Sequence, residues 1–262
     1  MKEQLYVIKV GGAIVEDDSS LQALLSRFSR LKGKKILIHG GGRLATHLST
    51  RLGIESKMVE GRRITDADTL QVVTMVYGGL VNKRIVALLQ AAGTNAIGLT
   101  GADAGIILSH KRPVKDIDYG FVGDVDSVDS ALLTILLNHG LTPVIAPITH
   151  DGKGQLLNTN ADTMARVVAE SVAEHYEVSL IFCFEKPGVL AQPDDDTSAI
   201  PFIDRRSFHE LKAQGIVSGG MIPKIDNALE AIDKGVAQVV ITKADKLGEA
   251  CGTIVGKRDY NC

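Results

Sequence analysis

The chain has 262 residues, 45% of them hydrophobic and 23% charged, with a formal net charge of −2; this is ordinary globular composition and excludes disorder as its main character. So small a net charge gives no electrostatic reason for a nucleic acid or an anionic membrane as partner, and neither is expected. The three cysteines, Cys183, Cys251 and Cys262, have no CxxC spacing, so neither a disulfide framework nor a zinc site is indicated.

Short apolar runs of strand length recur along the chain with helical patterns between them. The N-terminus leads into the first run, 6–10, with no signal-like segment, and no stretch approaches the ~20 consecutive apolar residues of a membrane span; a soluble cytoplasmic chain is expected. Further runs follow at 35–39, 95–99, 143–146, 180–184 and 237–242. Most are rich in Val, Ile and Leu and do not alternate, as strands covered on both faces should read. Between them, Leu44, Leu48 and Leu52 fall at i, i+4 and i+8. Ala161, Met164, Ala165, Val168, Ala169 and Val172 trace a full helical stripe, as do Ile225, Ala228, Leu229 and Ile232. Thr65 with Asp68 and Ser207 with Glu210 read as capping boxes, and Gly140, Gly215 and Gly235 as helix stops. Only 106–128 breaks this rhythm, with short runs and turn residues that predict a hairpin. Strand–helix alternation of this kind predicts an α/β fold, a three-layer αβα sandwich around a mainly parallel open sheet. A single domain over 1–262 is expected, with an N-terminal lobe of about 1–175 and a C-terminal lobe of about 176–262; the acidic turn 193–196 is the nearest thing to a break.

Four constellations carry chemistry. In Lys9-Val10-Gly11-Gly12 a lysine lies within an apolar strand, where its charge is costly unless paired. Either it reaches water from an edge strand, or it supplies positive charge to a group approaching the glycine pair. His39-Gly40-Gly41-Gly42 joins a strand to a helix. It is either a tight turn or a set of backbone N–H groups that receives an anion, and it matches neither GxxxxGK[ST] nor GxGxxG. His39 itself reads as a packed or capping residue. In Asn158-Thr159-Asn160-Ala161-Asp162, Asn160 suits the N-cap and Asp162 the first turn, which leaves Asn158 unexplained. In Gly219-Gly220-Met221-Ile222-Pro223-Lys224, Pro223 suits a helix start, but Lys224 opposes the helix dipole; it is either a solvated surface residue or a functional one.

In this order, and with the segment Gly61-Arg62-Arg63-Ile64-Thr65, these motifs resemble the amino-acid kinase family over essentially the whole chain. The Arg63 and Asn158 segments are similar to those of its acylglutamate branch. The resemblance implies ATP-dependent phosphorylation of the γ-carboxylate of an N-acylated glutamate, with magnesium, acetyl being the family default and succinyl a larger alternative. It implies that Lys9 and Lys224 stabilise the transferring phosphoryl group and that Asp162 positions the two lysines. Gly41 and Gly42 would present N–H groups to the substrate, and Arg63, Asn158 and Asn160 would hold it, Arg63 with its planar fork on the α-carboxylate. Gly11, Gly12, Glu185 and Gly188 would line the nucleotide, and no metal ligands of the protein's own are implied. A homodimer is implied as well. Since the first strand begins near Leu5, no preceding helix is expected, and with it neither a hexameric ring nor strong arginine inhibition. Where relatives carry Asp-Val-x-Gly, this chain has Glu185-Lys186-Pro187-Gly188. Other acceptors, namely aspartate, free glutamate and carbamate, and a silent ligand-binding relative are the competing readings. A nicotinamide oxidoreductase lacks its glycine fingerprint here.

Overall fold

The computed structural model describes residues 2–59, 62–219, 221–249 and 251–257. Gly61, Gly220 and Cys262 of the segments above lie outside the described residues. In chain order, β1 (Glu3–Val10) is followed by α1 (Gly12–Glu16), α2 (Asp18–Arg30), β2 (Lys34–His39) and α3 (Gly42–Arg51). A small hairpin, β3 (Met58–Val59) and β4 (Arg62–Arg63), leads to α4 (Ala67–Val73), a π-helical stretch Thr74–Val81, and α5 (Asn82–Ala91). Then come β5 (Ala96–Leu99), β6 (Ile107–Lys111), β7 (Gly123–Val128), α6 (Ser130–Asn138), β8 (Thr142–Ile145), β9 (Ile148–His150) and β10 (Leu156–Asn158). The chain continues through α7 (Ala161–Val172), β11 (Tyr176–Phe184), β12 (Phe202–Ile203), α8 (Arg205–Ala213), α9 (Met221–Asp233), β13 (Gln238–Lys243) and β14 (Thr253–Val255).

Eight strands form one sheet in the order β12-β14-β13-β11-β1-β2-β8-β5. Its described pairs are parallel except β13 with β14. β1 therefore lies in the middle, between β2 and β11, and the reading of Lys9 on an edge strand does not hold. The pleat sends alternate residues to opposite faces. Leu5 and Val7 pack with the apolar stripes of α7 and α9. Ile8 and Val10 pack on the other face with α2, α5 and the π-helical stretch. The hairpin expected within 106–128 is present as β6 and β7, which join β9 and β10 in a separate four-stranded sheet. That sheet carries the chain from β8 back to the start of α7.

Local differences from the sequence reading have plain causes. The first strand begins at Glu3 rather than near Leu5. In α3 the buried positions are Ala45 and Ser49, not the leucines; Leu44 and Leu48 are half-buried and Leu52 is exposed. Small residues on the inner face let α3 lie close against α1 and α4. The cap of α4 is Asp66, whose carboxylate accepts from the Thr69 N–H at 2.8 Å. Thr65 is instead buried in a bridge to Gly120. In α8 the box is Asp204 with Ser207, one turn earlier than read, because an aspartate outcompetes Ser207 for the cap position. Gly140, Gly215 and Gly235 do stop α6, α8 and α9, each with positive φ. The helical run Ala67–Ala91 is long and apolar enough to cross a membrane by length and composition. It serves as a core helix here, burying Val72, Val73, Val76, Val81, Ile85 and Leu89 against the sheet.

Candidate active site

In an open parallel sheet the loops that leave the C-terminal ends of central strands surround one crevice. Here these are Gly11–Gly12 after β1, 40–42 after β2 and 185–188 after β11. The first two loops touch. The Gly40 N–H donates to the Val10 carbonyl at 2.9 Å, and the Gly11 N–H to the Cys183 carbonyl at 3.2 Å. A β-carbon placed on Gly12 would lie 3.6 Å from the nitrogens of both Gly41 and Gly42. Those amides stand at the first turn of α3, where the helix itself offers no acceptor. Glycine at 12 thus keeps open the space in front of them.

Lys9 shares the face of Leu5 and Val7, so its side chain runs beneath the N-terminal turn of α7. Its ammonium meets Asp162 Oδ1 at 2.6 Å, with only 9% of the lysine side chain and 18% of the aspartate side chain exposed. Asn160 fixes that turn as its cap, accepting from the N–H groups of Asp162 at 2.9 Å and Thr163 at 3.0 Å. From the start of α9, Lys224 brings its ammonium 3.7 Å from the centre of the Phe184 ring, while that of Lys9 lies 5.1 Å from the same ring. Both distances allow cation–π attraction. Burial pushes the Lys224 pKa down, Asp162 opposes that shift, and Lys9 adds to it. Two cations, one carboxylate and one aromatic ring therefore converge. Lys9, Lys224 and Phe184 line a cavity of about 430 Å³ with Gly11, Gly12, Glu185 and Gly188. Gly188 is glycine for packing: a β-carbon would lie 2.7 Å from Thr253 Oγ1, which accepts from the Val189 N–H. Lys186, beside the departing Glu185, pairs with Asp196 at 3.2 Å on the surface.

A second cavity of about 190 Å³ holds Gly41, Gly42, Arg62, Arg63, Tyr77, Asn158 and Asn160 in its lining. Gly42 lines both cavities, which therefore meet at the glycine loop. Arg63 is buried, and its Nη2 donates to the Gly42 carbonyl and to Thr46 Oγ1, both at 2.8 Å, while Nη1 donates to Ser56 Oγ at 2.8 Å. Both Nη2 hydrogens are thus committed to the protein, so the undivided fork expected from the sequence is not on offer. Asn158 donates from Nδ2 to Thr65 Oγ1 at 3.0 Å, and its N–H to the Phe121 carbonyl at 2.9 Å. Asn160 lines the pocket, but its side-chain oxygen is engaged in the α7 cap.

His39 is fully buried, with Nδ1 2.8 Å from the Gly40 carbonyl and Nε2 3.2 Å from the Asn82 carboxamide nitrogen. Burial pulls its pKa down to about 4, so at neutral pH it is an uncharged packed residue, donating from Nδ1 and accepting at Nε2. Burial also pushes the Cys183 thiol up to about 12, which leaves it inert. Two residues escaped the sequence reading: Phe184, the ring shared by the lysines, and Tyr77, which reads as core within the apolar run 72–81. Their only signals are an aromatic closing the strand next to the Lys9 strand and a tyrosine directly before Gly78-Gly79. Among the described residues no three His, Cys, Asp or Glu side chains come together as a metal site.

The sequence profile of the amino acid kinase family matches residues 4–243. The chain is 61% identical to the acetylglutamate kinase of Phocaeicola vulgatus, over 98% of this chain and 100% of that protein. It is 41% identical to the acetylglutamate kinase of Methanopyrus kandleri, over 95% and 99%. Among solved structures it resembles N-acetylglutamate synthase from Neisseria gonorrhoeae complexed with coenzyme A and N-acetyl-glutamate. There the TM-score is 0.83 at 21% identity, over 98% of this chain and 60% of the synthase. The carbamate kinase of Giardia lamblia bound to AMP-PNP gives a TM-score of 0.70 at 12% identity, over 98% and 99%. These two likenesses speak to the fold alone.

Proposed function

Since the chain belongs to the amino acid kinase family, we propose that it phosphorylates the γ-carboxylate of N-acetyl-L-glutamate, or a close N-acylglutamate, with ATP, a step that serves arginine biosynthesis. The observation that carries this reading is the meeting of two unlike cavities at Gly42, one with Arg63 and Asn158, the other with Lys9 and Lys224. The smaller cavity takes the acylglutamate, with Arg63 and Asn158 on its α-carboxylate and acyl-amide end, Asn160 at its rim, and the Gly41 and Gly42 N–H groups towards the reacting carboxylate. The larger takes ATP, lined by Gly11, Gly12, Glu185 and Gly188. The acylglutamate lobe spans about 1–175 and the ATP lobe about 176–262.

The γ-carboxylate is already ionised at pH 7, so no general base is needed. One of its oxygens bonds to the γ-phosphorus of ATP as the bond from that phosphorus to the β–γ bridging oxygen breaks; ADP leaves with the electron pair and an acyl phosphate remains. What the reaction asks of the protein is alignment of two anions and neutralisation of phosphoryl charge. Lys9 and Lys224 neutralise, and Asp162 holds Lys9 in place and tempers the repulsion between the two cations. Magnesium enters as part of the nucleotide substrate. The Asp162 carboxylate is occupied by Lys9.

The protein works as a cytoplasmic homodimer. Free thiols at Cys183 and Cys251 suit a reducing compartment. Exposed Met75 and Leu80, on the π-helical stretch Thr74–Val81, offer an apolar surface to a second copy. The deciding experiment is an ATP-dependent hydroxamate assay with N-acetyl-, N-succinyl- and free glutamate. An acylated substrate is expected to exceed free glutamate by orders of magnitude in kcat/KM. Equal use of free glutamate or aspartate would overturn the assignment.

A further inference from the structure

Tyr77 lies in the π-helical stretch that interrupts the run from α4 to α5. π-Turns are rare within helices and tend to occur at functional positions, because the extra residue re-aims a side chain. Here the ring is turned under the glycine loop. A β-carbon on Gly41 would approach two of its carbons at 3.0 and 3.2 Å, and one on Gly42 would lie 3.9 Å from the Tyr77 hydroxyl and 3.8 Å from Arg63 Nη2. The hydroxyl and the guanidinium thus flank the same wall of the smaller cavity. The residue is only 6% exposed.

Both ways in which an arginine grips a carboxylate with two parallel bonds use Nη2, paired either with Nη1 or with Nε. Arg63 has spent both Nη2 hydrogens on the Gly42 carbonyl and Thr46. It can still provide charge and single bonds from its remaining N–H groups, so one carboxylate oxygen needs another donor. We propose that the Tyr77 hydroxyl is that donor, binding the α-carboxylate of the acylglutamate beside Arg63 and helping to select for it. This rests on the acylglutamate reading above. A tyrosine suits the position: its ring stiffens the glycine loop, and its neutral O–H donates without adding to the positive charge already there.

The test is Tyr77→Phe, which keeps the ring against Gly41 and removes the donor. A hydrogen bond to a charged group is worth about 10- to 100-fold in affinity. The KM for N-acetylglutamate is therefore expected to rise by that factor, with kcat within a few-fold, the KM for ATP unchanged and the melting temperature held. N-Acetyl-4-aminobutyrate, which keeps the reacting carboxylate and lacks the α-carboxylate, separates this role from a structural one. The wild type should use it poorly, and Tyr77→Phe should leave its kcat/KM unaltered. An unchanged KM for N-acetylglutamate, or an equal loss with both substrates, overturns the proposal. A wild-type chain that phosphorylates no acylglutamate overturns the function reading itself, a result visible before any variant is made.

Discussion

Lys9 and Lys224 are each placed against local preference, one inside an apolar strand and the other at a helix start, yet both reach the Phe184 ring. Loss of one preorganised charge of this kind costs ~100–1,000-fold in kcat, about 3–4 kcal/mol of barrier. That drop is expected for Lys224→Met in steady-state kinetics, with acylglutamate binding nearly unchanged. Lys9→Met should lose as much activity, but the two variants part in stability. From the strand alone, removing a buried charge reads as a gain. With Asp162 at 2.6 Å the sign reverses, because the substitution strands a carboxylate that is mostly out of water. A loss of ~3 kcal/mol is expected in chemical denaturation, recovered in part by the double variant Lys9→Met/Asp162→Leu. Near-normal kcat in either single variant would remove that lysine from the mechanism.

At the level of elements, the glycine loops after β1 and β2 make opposite demands on stability and activity. Gly12 has ordinary helical backbone, and its added β-carbon would meet only the Gly41 and Gly42 nitrogens, at 3.6 Å, an ordinary contact. Gly12→Ala should therefore fold as well as the parent or better, by a few tenths of a kcal/mol. The methyl group would nevertheless stand where the two substrates meet in the proposed reaction, and a displacement on the order of 1 Å there costs about 100-fold. Unimpaired turnover with an unchanged melting temperature would show that the groove between the loops is not the transfer path. The α7 cap was legible in the sequence because Asn160 and Asp162 act within one turn, through bonds that local spacing dictates. The α3 face was not. Whether Leu44 and Leu48 or Ala45 and Ser49 turn inward is decided by how closely α1 and α4 approach, a tertiary matter that a periodic pattern does not contain. Asp66 and Asp204 displaced the expected caps for a simpler reason: two acceptable capping residues stood within reach, and the carboxylate won.

For the whole molecule, the buried His39 couples stability to pH. Its folded pKa of about 4 lies below the ordinary 6.5, so the unfolded chain binds a proton over that interval while the folded chain does not. Stability is then fully present above pH 6.5 and falls as the pH is lowered towards 4, by ~3 kcal/mol at most. Glu170, raised by burial, works in the opposite sense at the lower end. The comparison to make is therefore wild type against His39→Gln, in denaturant titrations across this range. The variant should show the flatter pH profile, and identical slopes would mean that His39 is solvated or already protonated. The parallel sheet and its helices were readable from the apolar runs, since strands covered on both faces leave no alternation. The convergence of Lys9, Asp162, Phe184 and Lys224 was not readable from spacing, because four distant segments meet only through strand order.

That strand order also sets a timetable. Lys9 lies opposite Ile38 on one side and Phe182 on the other, and Glu3 opposite Tyr176. As the chain leaves the ribosome, β2 is available to β1 almost at once, whereas β11 arrives only after most of the polypeptide has been made. At ~5–20 residues per second that interval is on the order of ten seconds. Throughout it, one side of a strand reading Leu-Tyr-Val-Ile-Lys-Val is an open template for any neighbouring nascent chain. The lysine is the single charge in that run, and a charge on an otherwise apolar open strand deters misplaced partners. The same ammonium that meets Asp162 in the finished protein would thus act earlier as a guard against aggregation. Dilution refolding should reveal it: Lys9→Met ought to precipitate at a lower protein concentration than Lys224→Met, and equal recoveries would confine Lys9 to the folded state.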